Sequence, residues 1–512
     1  MRYLAVINLG SHEVSLSICQ LRNRECPQLL EKVSRALAFG ADTYSEGAIS
    51  EEKIVELMDV LADFQLKLKE YPHIELVAVA ESAIREAGNR LFILDLIQRQ
   101  TGLQVDVLSN NDQVYYQLLA LSHKLQDFDQ LIAETTLAVE LGAGSIQFTL
   151  YDQGRLLSTQ NMKLGSLRIA SVLEELREHA SNFEDYVLEY ISGDLAYYKS
   201  HENRVDQVKN LIINGGNLFY IRQLAGLSAG SKMVLSQENL QSALKTLTRK
   251  TGQALIREDH IPSEHVKLLL PTALIVGEVF RFTGLDRAYL PDTTMEEGII
   301  LAYAMREARY QVPHDFVADR LNLVRSISQH YKTDQAHCGQ VEKLALQIFD
   351  ETKKLHGLEA PDREMLQLAA ILHNVGKYIS ISKDDRRSYD IVRSSEIPGM
   401  SNVDMEFLAR LIYIHDLRDL QDMDKGFAHD RTRSLRLFKL AAILILANAM
   451  DISHRQKIAQ VKVHIKKGRP RFSLYSSADI TLELWNLEQA KAFFDQVFLT
   501  NSEFVARILP QS

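Results

Sequence analysis

The sequence predicts an α/β protein: two related α/β lobes in tandem, then an all-helical domain, then a small α/β tail. Three observations carry this expectation. A strand-turn-strand unit opens the chain and returns: Leu4-Ala5-Val6-Ile7-Asn8-Leu9-Gly10 comes back roughly 130 residues later as Thr136-Leu137-Ala138-Val139-Glu140-Leu141-Gly142. Short apolar runs alternate with stretches of helical period after each copy. Beyond about residue 305 the apolar side chains keep a three- and four-residue spacing, the mark of packed helices.

Each element follows from its local pattern. The first copy runs into Asn8, turns at Leu9-Gly10-Ser11 and resumes as the alternating strand Val14-Ser15-Leu16-Ser17-Ile18. The second turns at Gly142-Ala143-Gly144-Ser145, runs on through Leu150, and meets the hairpin signal Asp152-Gln153-Gly154 before a strand from Arg155 to Met162. Residues 51–70, 91–101 and 112–125 have helical period, with Gly102 as a stop, and 74–80 and 103–108 are short strands. Residues 205–213 pass from helix to strand and end at Asn214-Gly215-Gly216-Asn217, a tight turn with open backbone. Helices are expected at 316–330, 334–356, 362–379, 402–415 and 433–453, strands at 461–465, 471–475 and 480–485, and a last helix at 487–499. The expected domains are 1–128, 129–305, 306–455 and 456–512.

The totals narrow the class. A chain of 512 residues fits about three or four domains. No apolar run approaches a bilayer span and no leader pattern opens the chain, so a cytoplasmic protein away from membranes is expected. Cys19, Cys26 and Cys338 have no CxxC spacing, which argues against a disulfide framework and a structural zinc site. A formal charge of −9 disfavours nucleic acid as a partner. Lys457, Lys462, Lys466, Lys467, Arg469 and Arg471 form one local basic patch, read either as a solvated strand-turn region or as a surface for a polyanion.

The two glycine turns are the chemically suggestive feature. Glycine lets main-chain N–H groups come close to a phosphate. Two such turns facing each other across a cleft, with the Gly215-Gly216 loop adding donors, suit a chain of phosphates held from both sides.

In this order the motifs resemble the exopolyphosphatase/guanosine pentaphosphate phosphohydrolase (Ppx/GppA) family, in its long form, over essentially the whole chain. That family opens with Asp-x-Gly-Ser-Asn-Ser; here stands Asn8-Leu9-Gly10-Ser11-His12-Glu13. Its Thr-Ser-Ala-x-Arg-x-Ala stretch is Glu81-Ser82-Ala83-Ile84-Arg85-Glu86-Ala87, and its Ser-Gly-x-Glu-Glu-Ala is Ser109-Asn110-Asn111-Asp112-Gln113-Val114. The second loop, Asp-x-Gly-Gly-Gly-Ser, is Glu140-Leu141-Gly142-Ala143-Gly144-Ser145. Leu164-Gly165-Ser166-Leu167-Arg168, Gly215-Gly216, Glu296-Glu297-Gly298, Leu372-His373-Asn374-Val375-Gly376 and Ser395-Glu396-Ile397-Pro398-Gly399 follow.

The resemblance implies two actin-like (ribonuclease H-like) lobes, an HD-like helical domain and a small α/β tail. It implies hydrolysis of the terminal phosphate of inorganic polyphosphate or the 5′ phosphate of guanosine pentaphosphate (pppGpp), assisted by Mg2+, in a homodimer. Carried onto this chain, Gly10, Ser11, Arg85, Gly142, Gly144, Ser145, Gly215 and Gly216 would bind phosphate. Glu140 would hold the metal, and Asp112, Gln113 and Glu140 occupy the catalytic positions.

Departures from the pattern fall on the chemistry. The general-base position is Gln113, and an amide can orient a water but not deprotonate it. Asp112 is adjacent, yet one step along a helix points about 100° away. Asn8 lacks the charge of the first-loop acid, Glu140 is one methylene longer than the second, and Glu296 stands where the family has Arg. In the helical domain His337, His373-Asn374 and Asp451 echo a His, His-Asp, Asp metal pattern, but the second acid is Asn374; core histidines without a metal are the simpler reading. Three functions stay open: a slow phosphohydrolase relying on Asp112 and Glu140, a regulatory protein that binds polyphosphate or a nucleotide polyphosphate without efficient turnover, and an ATP user of the sugar- or acetate-kinase type, which the same fold also hosts.

Overall fold

The computed structural model describes residues 2–177, 183–227, 233–381, 384–414, 430–466 and 468–508. The chain forms two compact units, one ending at Asp319 and one beginning at Arg320.

The first unit holds the two lobes. In lobe I, β1 (Arg2–Leu9), β2 (Glu13–Leu21) and β3 (Gln28–Ala36) form an antiparallel meander, and β4 (Ile74–Ala80) and β5 (Val105–Val107) add in parallel to β1. The order is β3-β2-β1-β4-β5. Lobe II repeats the plan with β6 (Thr136–Leu141), β7 (Ile146–Asp152), β8 (Arg155–Met162), β9 (Asn210–Asn214), β10 (Val234–Ser236) and β11 (Arg287–Tyr289), in the order β10-β11-β9-β6-β7-β8. The sequence echo is therefore a topological repeat: β1 and β6 are matching central strands, each paired antiparallel to the next strand and parallel to a later one. These are the two actin-like lobes.

Alternation explains the cores. Ala5, Ile7 and Leu9 face one side of lobe I with Leu16, Phe39, Leu61 and Ile97, all buried. Leu4 and Val6 face the other side and meet Ile299 and Ala304 of the helix Met295–Glu307. In lobe II, Val139, Phe148, Ile213 and Phe280 belong to one core. The helix Met295–Glu307 also packs on Asn110–Lys124. Gly298 permits that approach, since a Cβ there would lie 1.9 Å from the main-chain oxygen of Tyr116.

In the second unit the helix Gln335–Glu351 packs against Ala360–Leu372 and Arg431–Ala449. The sheet of β12 (Ile458–Lys466), β13 (Arg469–Ser476) and β14 (Glu503–Ile508) follows, with β13 central. The expected strand at 480–485 is instead the start of the helix Thr481–Phe498. Its buried positions, Glu483, Leu487, Ala490 and Phe494, keep helical spacing, and Lys457 Nζ lies 3.1 Å from Glu483 Oε2. The alternation of Ile480, Leu482 and Leu484 misleads because the stripe passes through a buried, paired glutamate. Residue 415, at the end of one expected helix, lies outside the described residues.

Gly298→Ala is expected to lower stability by about 1–3 kcal/mol, because a methyl must displace main chain rather than a mobile side chain. Urea unfolding of the purified protein measures it, and an unchanged midpoint refutes the close contact.

Candidate functional site

Asn8 and Glu140 are the penultimate residues of the matching strands β1 and β6. Each sits at the carboxyl end of a parallel strand pair, where ligands of open α/β sheets bind. The turn after each strand closes alike: the Gly10 N–H donates to the Glu13 oxygen and the Gly142 N–H to the Ser145 oxygen, both at 2.9 Å. A cleft of about 400 Å³ lies between the turns, lined by Ser11, Glu81, Ser82, Asn110, Gln113, Glu140 and the loop from Gly142 to Ser145. Glu140 and Gln147 also line a second hollow that includes Leu118 and Ile212.

Side chains tie the two turns together. The Tyr44 hydroxyl donates to Ser11 Oγ at 3.0 Å and lies 3.0 Å from Ser82 Oγ. Gly144 sits against that phenol, and a Cβ there would fall 2.0 Å from the Tyr44 oxygen. Arg168 stacks over the Tyr44 ring, donates to the Gly144 oxygen at 2.9 Å and pairs with Glu86 at 3.0 Å. His12, next in the first loop, brings no cation: burial first, then His265, pushes its imidazole down to about 4.

The acids of the cleft are Glu81 and Glu140. The Asn8 amide donates to Glu81 Oε1 at 2.6 Å and to Glu296 Oε1 at 3.1 Å. The Asn214 amide donates to Glu140 Oε2 at 2.9 Å and is fixed by both main-chain polar atoms of Thr293. Burial pushes the Glu81 carboxyl up to about 7; the Asn8 hydrogen bond opposes the rise and the charge of Glu296 adds to it. Burial likewise pushes Glu140 up to about 7, against the Asn214 hydrogen bond and with help from the charge of Glu81. Glu296 goes the other way. Burial alone would raise it, but Lys32, Ser15, its own main chain and Asn8 together hold it below the ordinary range. The Arg-to-Glu departure is thus a buried anion bound to Ser15 and 3.8 Å from Lys32, outside the cleft lining.

Of the residues singled out from sequence, Ser11, Gln113, Glu140, Gly142, Gly144 and Ser145 line the cleft. Asp112 does not. Its Oδ2 accepts the Ser109 N–H at 2.9 Å and the Ser109 hydroxyl at 2.6 Å, and the Ser109 oxygen accepts from the Asp112 N–H, a reciprocal cap on Asn110–Lys124. Asp112 Oδ2 is thereby engaged in capping the helix. Arg85 is not in the lining either: it donates to the Leu108 oxygen at 2.7 Å, and to Gln113 Oε1 at 2.9 Å and Asn110 Oδ1 at 2.6 Å, two amides of the cleft. Gly10, Gly215 and Gly216 are not among its lining residues.

Glu81, Ser82, Tyr44, Gln147 and Asn161 escaped the sequence reading. Glu81 carried a signal, an acid where the similar family has Thr. The pair Gln147 and Asn161 had a weaker one, polar residues on strands that the hairpin places in register.

For a divalent cation the cleft offers hard oxygen donors. The two carboxylates line it; outside that lining, Asn8 Oδ1 is buried with no hydrogen-bond partner, its amide nitrogen being fixed toward Glu81 and Glu296. Mg2+ typically takes one or two carboxylates plus substrate phosphates, so this donor set fits it. Among the described residues no group of three or more His, Cys, Asp or Glu is arranged to hold a metal. In the helical domain His337 Nδ1 lies 2.9 Å from Asp451 Oδ2, His337 Nε2 lies 3.3 Å from His373 Nε2, and His373 Nδ1 lies 2.8 Å from the Ala370 oxygen. In the basic patch Arg471 pairs with Glu503 at 3.4 Å and Lys462 stands over Tyr475, while Lys467 lies outside the described residues.

The raised acids fix a pH dependence. Glu140 holds its proton more tightly folded than unfolded, so its contribution to stability is complete below about 4.5 and is lost as pH rises through about 7. Glu140→Gln cannot ionise and removes that loss. Relative to the wild type it should gain on the order of 3 kcal/mol between about pH 5 and about pH 8. Denaturant unfolding of both proteins at the two pH values checks this, and a constant difference between them would count against the buried acid.

Known proteins bear on the same residues. Residues 17–307 match the model of the Ppx/GppA phosphatase family, and 320–504 match Ppx/GppA phosphatase, domain III. A guanosine-5′-triphosphate,3′-diphosphate pyrophosphatase of Vibrio cholerae is 20% identical over 457 residues, 86% of each chain. Among solved structures, an exopolyphosphatase from Cytophaga hutchinsonii aligns with a TM-score of 0.52 at 18% identity, covering 60% of this chain and 99% of its own. An exopolyphosphatase-like protein aligns at 0.51 and 18%, covering 59% and 98%. The structural likeness is one of fold. The two matched segments together span most of the sequence, and the chain belongs to the Ppx/GppA phosphatase family.

Proposed function

We propose that the chain is a phosphoanhydride hydrolase that removes the terminal phosphate of inorganic polyphosphate, with the 5′ phosphate of pppGpp as the other substrate of the same chemistry. The observation that carries this is one cleft holding both glycine turns and two carboxylates with pKa values near 7. Groups that titrate near the working pH are suited to accept and return protons. Family membership and the names of the relatives point the same way. The Ser11 and Ser145 hydroxyls can donate to non-bridging phosphate oxygens, and the Asn110 and Gln113 amides, held by Arg85, can orient the chain end and a water. Glu140 would hold a Mg2+ ion, whose charge would offset that of the phosphates. The reading includes a homodimer in the cytoplasm; among the described residues no helix is long and apolar enough to cross a membrane.

One observation favours a second reading, in which the cleft binds the polyanion without turnover. Gln113 stands at the base position of the family motif, and Asp112 beside it is committed to the helix cap.

The test is orthophosphate release from long-chain polyphosphate with Mg2+, and separately from pppGpp. The wild type should release phosphate, and Glu140→Gln should cut the rate by about 10²–10³. Tight polyphosphate binding by calorimetry with no release from either substrate would replace the hydrolytic reading with the binding one.

A further inference from the structure

We propose that Glu81, rather than residue 113, takes the proton of the attacking water. The inference rests on the hydrolytic reading above and assigns its missing base.

Position comes first. Glu81 follows directly on β4, and its N–H donates to the Leu9 oxygen at 3.1 Å, which locks it beside the first turn. Its carboxylate faces Gly10: a Cβ added there would lie 3.5 Å from Oε1. Ser11, Ser82 and Gln113 line the same cleft. Availability comes second. Glu81 precedes the short helix Ser82–Glu86 but makes no side-chain cap with it, in contrast to Asp112. Asn8 pins Oε1, while Oε2 accepts no hydrogen bond from the described residues and is not sealed from solvent. One oxygen is oriented and the other is open to a water.

Replacement comes third. The chain has Asn8 where the motif has Asp, and Glu81 where it has Thr. The two new side chains are hydrogen-bonded to each other. With Asp at position 8, two carboxylates would meet at hydrogen-bond distance and one would have to stay protonated. With Asn, the acid is carried across to residue 81. Gln113, held by Arg85, then orients rather than deprotonates.

Chemically, the water oxygen bonds to the terminal phosphorus as the bridging P–O bond breaks. The electron pair of that bond leaves on the shortened chain, and the water proton passes to Glu81 Oε2. Orthophosphate is the other product. The charged groups acting on Glu81 are Glu296 and Glu13, which favour its protonated form, and Arg85, which opposes it; Glu140 shares the field.

Glu81→Gln should lower kcat for polyphosphate by about 10²–10⁴ while polyphosphate binding, measured by calorimetry, is retained. Glu81→Gln combined with Gln113→Glu should recover part of the lost rate, since a carboxylate returns to the motif position; recovery also shows that the fold survives. A wild-type rate in Glu81→Gln, or the double variant no faster than the single one, overturns the assignment of Glu81 and leaves the hydrolytic reading standing. A wild type that binds polyphosphate but releases no phosphate overturns both.

Discussion

The Asn8 amide is the interaction on which the cleft depends. It stands between two carboxylates and donates one hydrogen bond to each, at 2.6 and 3.1 Å. Only an uncharged group with two N–H donors can do this at such a position without adding charge of its own. A carboxylate at residue 8 would repel both neighbours, and an apolar residue would leave both buried and short of partners. Since Nδ2 is used in this way, Oδ1 must face elsewhere, and it remains unpartnered and buried. A residue that looks in the sequence like a lost acid is the part that allows two other acids to exist beside the first glycine turn.

Much of this was legible in the sequence. The repeat of Leu4–Gly10 at Thr136–Gly142 gave the two lobes, because strand, polar residue, glycine and alternating strand are local patterns. The facing turns followed from it. What the sequence could not order was the commitment of individual side chains. Asp112 and Glu81 are equally acidic on paper. They differ because Ser109 lies three residues before Asp112 and captures it in a helix cap, whereas Glu81 heads a helix too short to use it. Arg85, which the family resemblance makes a phosphate ligand, gives its donors to Leu108, Asn110 and Gln113 across a contact between segments distant in sequence. The false strand at 480–485 has the same origin: Glu483 is buried because Lys457 and Ser453 lie beside it, a long-range fact.

The two lobes solve one problem in opposite ways. In lobe II the carboxylate is on the first strand, at Glu140, and the amide is across from it at Asn214 on the parallel neighbour β9. In lobe I the amide is on the first strand, at Asn8, and the carboxylate stands just past the end of the parallel neighbour β4, at Glu81. Each lobe keeps an acid–amide pair, with the strands exchanged. The exchange tolerates longer side chains, because in each lobe the acid is braced by an amide rather than by a cation.

This has an electrostatic consequence for a polyanion. A cleft with two fully ionised carboxylates and no free arginine would repel a phosphate chain. Burial, opposed at Glu140 by the Asn214 amide and at Glu81 by the Asn8 amide and the charge of Arg85, leaves both acids near 7. An arginine salt bridge would have fixed them as full anions. Among the described residues the side chains of Glu81 and Glu140 are hydrogen-bonded by neutral amides alone, so at neutral pH each carries part of a negative charge: less repulsion for an arriving polyanion, and still an ionised fraction to accept a proton.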